Sequence, residues 1–333
     1  MRIVLDAMGS DTHPEPEIEA AVRSAEKWGD TILLVGPEEL LSPRLDAMNV
    51  PDSAVRVVHA PEVLQMTDKP ARTARGKAES SMAVGMELLK AGEADAFVTA
   101  GNTGGAMANA LFRLGRIRGV KRPALAPVFP VGGSKAIVLD VGANADCKPE
   151  YLLQFALMGD MYMRSVLGKQ APRVALLSNG EERGKGNTLV KDTTALLEAS
   201  DLNFVGNAEP KEVYAGFADV IVTDGFYGNI FLKTSEAMAK YIFKNLRTEI
   251  KGNPLATVGG LLLKPAFKRI AGLLDPSEHG AALLLGVKGL VFIGHGRSDA
   301  RALVSAIRGA RQAVEANLLA ELEGTISDRL TVQ

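Results

Sequence analysis

Residues 95–105 read Asp-Ala-Phe-Val-Thr-Ala-Gly-Asn-Thr-Gly-Gly. The β-branched and aromatic run at 95–99 predicts a strand. The glycine-rich turn after it predicts a helix over about Gly104–Leu114, with Asn102 or Thr103 placed to cap the first turn. A strand feeding a helix through a tight glycine turn is half of a βαβ unit.

The unit recurs on both sides. Upstream, strands are expected at Arg2–Asp6, Thr31–Val35 and Val55–His59, with helices at Pro14–Trp28 and about Ala78–Ala91. Downstream, Ala124–Phe129 and Lys135–Val141 read as strands separated by Pro130 and the Gly132-Gly133 turn. A helix follows at Pro149–Leu167. Strands at Arg173–Leu177, Asn203–Val205 and Asp219–Thr223 come next, with a helix at Thr188–Ala199. The stretch 228–274 reads as mostly helical, Leu290–Ile293 as a last strand and about Ser298–Leu322 as a closing helix. This alternation predicts an α/β fold: a doubly wound, mainly parallel sheet with helices on both faces. No linker or repeat divides the 333 residues, so one α/β unit, or two interleaved lobes, is expected.

Composition removes several function classes. Hydrophobic residues make up 47% and charged residues 23%, which excludes a disordered chain. Lys and Arg number 38 against 39 Asp and Glu, so there is no global basic field and no nucleic-acid partner is expected. Cys147 is the only cysteine, which rules out an internal disulfide framework and a cysteine-cluster metal site. His13, His59, His279 and His295 show no metal-ligand spacing, and no metal is expected. No apolar run reaches the ~18 residues needed to span a bilayer. The longest, Ala281–Ile293, is interrupted by Lys288. The expectation is a cytoplasmic, non-spanning protein.

In α/β sheets, ligands bind beyond the carboxyl ends of the strands. Six such ends here combine glycine with a small polar residue or aspartate: 6–11, 100–105, 140–144, 178–181, 223–229 and 294–298. Glycine lets backbone N–H groups approach a ligand, and a helix start attracts an anion. Asn102, Thr103, Gly104 and Gly105 therefore form either a phosphate or oxyanion cradle or simply an N-cap. Lys185, between Gly184 and Gly186, is either a flexible cation over a ligand or part of a solvated turn. His295 with Asp299 is either a general base and its orienter or a structural pair, and Cys147 either a nucleophile or a buried thiol. A dinucleotide fingerprint, a P-loop, a nucleophile elbow and a zinc-protease motif are all missing from the sequence.

Taken in order, LDAMGSD (5–11), TAGNTGGAM (99–107), RPALAP (122–127), LDVGANADCKPE (139–150), VTDGFYGN (222–229), FLKT (231–234) and the GHGRSDARA region (294–302) resemble the bacterial phosphate acyltransferase (PlsX) family over nearly the whole chain. Ser10, Tyr227 and Ser178 depart from the family pattern. The resemblance implies a fold similar to phosphotransacetylases and the isocitrate/isopropylmalate dehydrogenase group. It implies phosphorolysis of a long-chain acyl thioester on acyl carrier protein, giving an acyl phosphate for phosphatidic acid synthesis. It also implies a homodimer without an organic cofactor, in peripheral contact with the membrane and with the downstream glycerol-3-phosphate acyltransferase. Applied to these residues, phosphate is expected on the 102–105 helix start with help from Asn144 and Lys185. Asn229 and the N–H groups at Gly225–Gly228 face the thioester carbonyl, Asp224 orients those donors, and His295 lies nearby; the phosphate and oxyanion roles of the two loops are interchangeable. Competing readings are a short-chain phosphotransacetylase acting on a coenzyme A thioester and a non-catalytic phosphate- or acyl-binding protein.

Two further segments carry expectations. Asn253–Leu274 is apolar with Lys264, Lys268 and Arg269 interspersed, and reads as two short helices broken at Pro265. It suits an anionic bilayer or a partner surface, or else a dimer interface. Arg113, Arg116, Arg118, Lys121 and Arg122 are either a dock for acidic carrier protein or a solvated basic loop.

Overall fold

The computed structural model describes residues 1–69, 76–274 and 280–331; His279 lies outside them. The strands form two sheets rather than one. The first has seven strands in the order β3 (Val55–His59), β2 (Thr31–Gly36), β1 (Arg2–Asp6), β4 (Ala96–Thr99), β12 (Val291–Gly294), β11 (Ala281–Leu285) and β5 (Ala124–Ala126). The second has five, in the order β6 (Val128–Val131), β7 (Ser134–Leu139), β10 (Val220–Val222), β8 (Val174–Leu177) and β9 (Phe204–Ala208). All pairings are parallel except those of β11 in the first sheet and β6 in the second.

The chain changes sheets at Pro127. The single strand expected over Ala124–Phe129 is cut there, because proline has no N–H to continue a ladder. Its carbonyl still accepts the Val138 N–H, so β5 and β7 stay tied across the junction. The apolar run Ala281–Ile293 is likewise two antiparallel strands, turned back on themselves around Gly286 (φ +96).

Central strands such as β1, β2 and β4 are buried on both faces and read as continuous apolar runs for that reason. Helices α1 (Glu15–Trp28), α2 (Glu38–Ala47), α3 (Ser81–Lys90) and α4 (Thr103–Arg113) accompany the first sheet. Helix α5 (Pro149–Ser165) is buried along most of its length. A Cβ at Gly159 would sit 2.5 Å from Val220 and 2.8 Å from Leu139, so only glycine lets α5 lie this close to the second sheet. Helices α6 (Thr188–Glu198) and α7 (Pro210–Ala215) complete that lobe.

Helices α8 (Gly225–Gly252) and α9 (Pro254–Leu274) form a long hairpin. The break expected at Pro265 falls instead at Asn253, whose extended backbone (φ −133, ψ 124) and side-chain bond to the Leu255 N–H (2.9 Å) start α9. Pro265 lies inside a continuous helix. The expected closing helix is also divided, into α10 (Ala300–Glu315) and α11 (Leu318–Thr331), at Asn317 in the left-handed region (φ 51).

Candidate active site

The two sheets meet at their carboxyl edges around a cavity of about 580 Å³. One wall comes from the loops after β1, β4 and β12, the other from the loops after β7 and β10 and from α8. The first wall is knitted from within. Buried Asp6 accepts from Thr99 Oγ1 (2.7 Å) and the Met8 N–H (3.1 Å), and Thr99 Oγ1 accepts the Gly101 N–H (2.9 Å). Burial pushes the Asp6 carboxyl up, against the Ser81 and Thr99 hydroxyls that favour its charged form. The Asp11 N–H donates to the Gly296 carbonyl (2.7 Å), joining two loops that both border the cavity.

Asn102 is the N-cap of α4: its Oδ1 accepts the Gly105 N–H (2.9 Å). Its Nδ2 donates to the Met66 carbonyl (2.9 Å) and reaches those of Gln65 and Asp68 at 3.3 Å. The amide expected to touch phosphate thus holds the 65–68 segment, and Met66 of that segment borders the cavity. Thr103, one residue on, lines the cavity itself, whereas Gly105 is buried against Leu64.

The second wall is built on Asp140. Its Oδ1 accepts the N–H groups of Leu125 (2.9 Å), Gly142 (3.2 Å) and Ala143 (3.0 Å), and its Oδ2 accepts from the Asn144 backbone (2.6 Å) and side chain (3.0 Å). Burial pushes this carboxyl up while the N–H groups oppose the shift. Asn144 Nδ2 also donates to the Pro123 carbonyl (2.7 Å), so this amide faces the protein rather than the cavity. The Asn144 carbonyl accepts the Gly225 N–H (2.8 Å). Asp224 caps α8 through the Tyr227 N–H (2.8 Å), and burial raises its pKa. Added Cβ atoms at Gly225 and Gly228 would collide with the Asn144 and Asp140 carbonyl oxygens, so glycine is what lets the helix start close on the 140–144 loop.

Asn229, one turn into α8, borders the cavity within 4 Å of a Gly142 Cβ position. Among the described residues, nothing holds its side chain. Lys233, four residues on and therefore on the same helix face, also lines the cavity and pairs with Glu236 (3.2 Å). Neither Lys233 nor Asp11 was singled out from the sequence, although both sit in quoted segments; only the packing of α8 and of the 9–11 loop turns them inward.

His295 lines the first wall. Its Nδ1 accepts the Arg297 N–H (3.3 Å), and Asp299 caps α10 through the Ala302 N–H (2.9 Å), so of the two readings of this pair the geometry favours the structural one. Burial, followed by the Lys233 and Arg297 charges, lowers the His295 pKa and so favours the neutral ring; with Nδ1 accepting from Arg297, the proton of that neutral ring is on Nε2. Burial pushes the Cys147 thiol up to about 12, so it stays protonated near neutral pH and is no nucleophile. Lys185 lies beyond the cavity lining, exposed at the carboxyl end of β8 between Gly184 (φ +94) and Gly186 (φ +97). Among the described residues, no cluster of His, Cys, Asp or Glu is arranged to hold a metal.

The basic stretch Arg113–Arg122 does not border the cleft. It leads into Ala124, which pairs with Leu285 at the edge of the first sheet opposite the cavity. Arg113 is in addition bonded to Glu87 (2.8 Å).

Glu17 underlies the first wall. It is fully buried, accepts the Ser10 N–H (2.9 Å) through Oε1 and leaves Oε2 unpartnered; burial raises its pKa from 4.5 to about 7. The folded state therefore keeps this proton while the unfolded chain loses it above pH 4.5. Stability is expected to fall as pH rises from 4.5 to 7. Thermal unfolding of Glu17→Gln should lack that slope and be more stable above neutrality, by up to about 3 kcal/mol. An unchanged slope would assign the pH dependence elsewhere.

A two-sheet α/β body with neutral donors, helix starts and a cation gathered at strand ends is suited to binding an anion beside an apolar cleft. The family described as "Fatty acid synthesis protein" matches residues 1–321. The chain is 45% identical over 326 residues to a phosphate acyltransferase from Pelotomaculum thermopropionicum, covering 98% of this chain and 95% of that one. It is 46% identical over 322 residues to a phosphate acyltransferase from Acidobacterium capsulatum, covering 96% of each. A phosphotransacetylase structure from Streptococcus pyogenes shares the fold, with a TM-score of 0.62 at 19% identity over 95% of this chain and 94% of that one. The chain belongs to the phosphate acyltransferase family and is an acyltransferase.

Proposed function

We propose that this acyltransferase moves a long-chain acyl group from acyl carrier protein to inorganic phosphate, releasing an acyl phosphate for phospholipid synthesis. The observation that supports this most is the two-part cavity. Thr103, His295 and Asn229 stand at its polar strand-end rim, while Leu125, Val128, Phe129 and Leu232 line an apolar body too extensive for an acetyl group. A phosphate oxygen attacks the thioester carbonyl, the carbonyl pair becomes an oxyanion, and collapse expels the carrier thiol with a proton from phosphate. Phosphate is already nucleophilic, so the protein's contribution is position and charge.

In this scheme Thr103, the α4 N-terminal N–H groups and the His295 Nε2–H hold one anion, and the Asn229 side chain holds the other, because the Gly225, Tyr227 and Gly228 N–H groups at the α8 start are already donated to Asn144 and Asp224. Asn102, Asn144 and Asp224 are positioning residues; Gly104, Gly105 and Gly225 keep the helix starts open and close-packed. Lys233, which lines the cavity beside Glu236, is the cation that faces phosphate, and Lys185, beyond the lining, takes no part. The test is purified protein with palmitoyl-acyl carrier protein, with and without phosphate, acyl phosphate being trapped by hydroxylamine. Phosphate-dependent hydroxamate is expected. Product from acetyl-coenzyme A alone would favour the short-chain activity.

The α8–α9 hairpin supports a peripheral membrane site on a cytoplasmic homodimer, close to the downstream glycerol-3-phosphate acyltransferase. Tyr241, Ile242, Leu255, Leu261 and Leu262 are exposed on it, Leu262 at 79%. Among the described residues, no helix is long and apolar enough to cross a membrane. Leu261→Glu with Leu262→Glu should weaken binding to anionic vesicles at least tenfold, since each leucine contributes about 1.5–3 kcal/mol when buried. Cosedimentation equal to wild type would return the hairpin to a purely protein–protein role.

A further inference from the structure

We propose that Tyr214, backed by Phe129 and Phe231, closes the far end of the acyl channel and sets the longest chain that the protein encloses. This rests on the long-chain reading above and adds to it the residue that measures the chain.

The direction of the channel follows from strand register. β7 climbs from Ser134 to Leu139 and delivers Asp140 and Gly142 to the reacting end. β6 descends beside it, pairing Val128 with Ile137 and Val131 with Ser134. At the bottom of that hairpin the Gly132 N–H donates to the Tyr214 carbonyl (2.9 Å), and a Gly132 Cβ would lie 2.5 Å from Ala215 O. Tyr214 is thereby fixed at the opposite end of β7 from Asn229, yet both line the same cavity. Along α8, the six residues from Asn229 to Ser235, the residue beside the Tyr214 hydroxyl, span roughly 9 Å at ~1.5 Å per residue.

Helix α8 roofs the distance, presenting Asn229, then Leu232, then Ser235 to the cavity. The end wall is aromatic. Phe231 stacks on Phe129 with centroids 5.7 Å apart and lies 5.6 Å from the Tyr214 ring. Phe129 is buried, but Tyr214 is 39% exposed, so its ring stands between this part of the cavity and solvent. The Tyr214 hydroxyl adjoins that of Ser235, which itself donates to the Phe231 carbonyl (2.7 Å) and fixes the ring across the opening.

The experiment compares wild type, Tyr214→Trp and Tyr214→Ala on carrier protein loaded with chains from octanoyl to stearoyl, reading kcat/KM as a ratio of each length to octanoyl. Each methylene that the larger ring excludes should lower the ratio roughly fourfold. Tyr214→Trp should thus shift the preference to shorter chains and Tyr214→Ala to longer ones. Length profiles identical to wild type in both folded variants, beside an active wild type, would overturn the assignment of Tyr214 alone. A wild type that forms no acyl phosphate at any length would overturn the long-chain reading and this inference with it.

Discussion

Asn229→Ala is expected to lower turnover by about 100- to 1000-fold, the usual cost of removing one donor from an oxyanion site. The side chain is exposed at the cavity, and among the described residues nothing holds it, so its removal leaves no buried group unsatisfied. The melting temperature should therefore match wild type while kcat falls, and the KM for acyl carrier protein should change little. Asn229→Asp, which replaces a donor with a charge at the same place, should be at least as inactive. A folded Asn229→Ala enzyme with wild-type kcat would remove Asn229 from the carbonyl contact.

Asp140→Ala should have the largest effect on stability. Four backbone N–H groups converge on this carboxylate, from Leu125, Gly142, Ala143 and Asn144, together with the Asn144 side chain. Each buried donor left without a partner costs about 1–3 kcal/mol. Water filling the space offsets part of this, and a net loss of about 3 kcal/mol or more is expected from denaturant unfolding. Activity should fall as well, because the Asn144 carbonyl that receives the Gly225 N–H moves with the loop. Asp140→Asn keeps one acceptor oxygen and should lie between the two. A melting temperature within experimental error of wild type for Asp140→Ala would show that the loop is held by its other contacts.

Most strands were legible because their composition states their environment: Ile32–Val35 and Ala96–Val98 are apolar on both faces, as buried parallel strands must be. The strand-end loops were legible because glycine beside asparagine or aspartate marks backbone approach. The division into two sheets was not, since one proline between Ala126 and Val128 decides it and nothing local says which strand each half will pair with. Asn102 and Asn144 show the matching limit at the site. An asparagine that caps a helix or braces a loop has the same neighbours in sequence as one that meets a ligand, and only the Met66 and Pro123 carbonyls distinguish them. Tyr214 carried no motif at all; the β6–β7 turn is what brings it to the cavity.

The second sheet is made entirely from residues 128–222, whereas β4 in the first sheet must wait for β12 at 291–294 to cover its far edge. During synthesis the inserted lobe can therefore finish its pairing while its host is still half a sheet with one bare edge. Until the last strands emerge, that edge exposes Phe97 and Val98 to any extended chain nearby, and β11 and β12 act in effect as the protein's own chaperone for it.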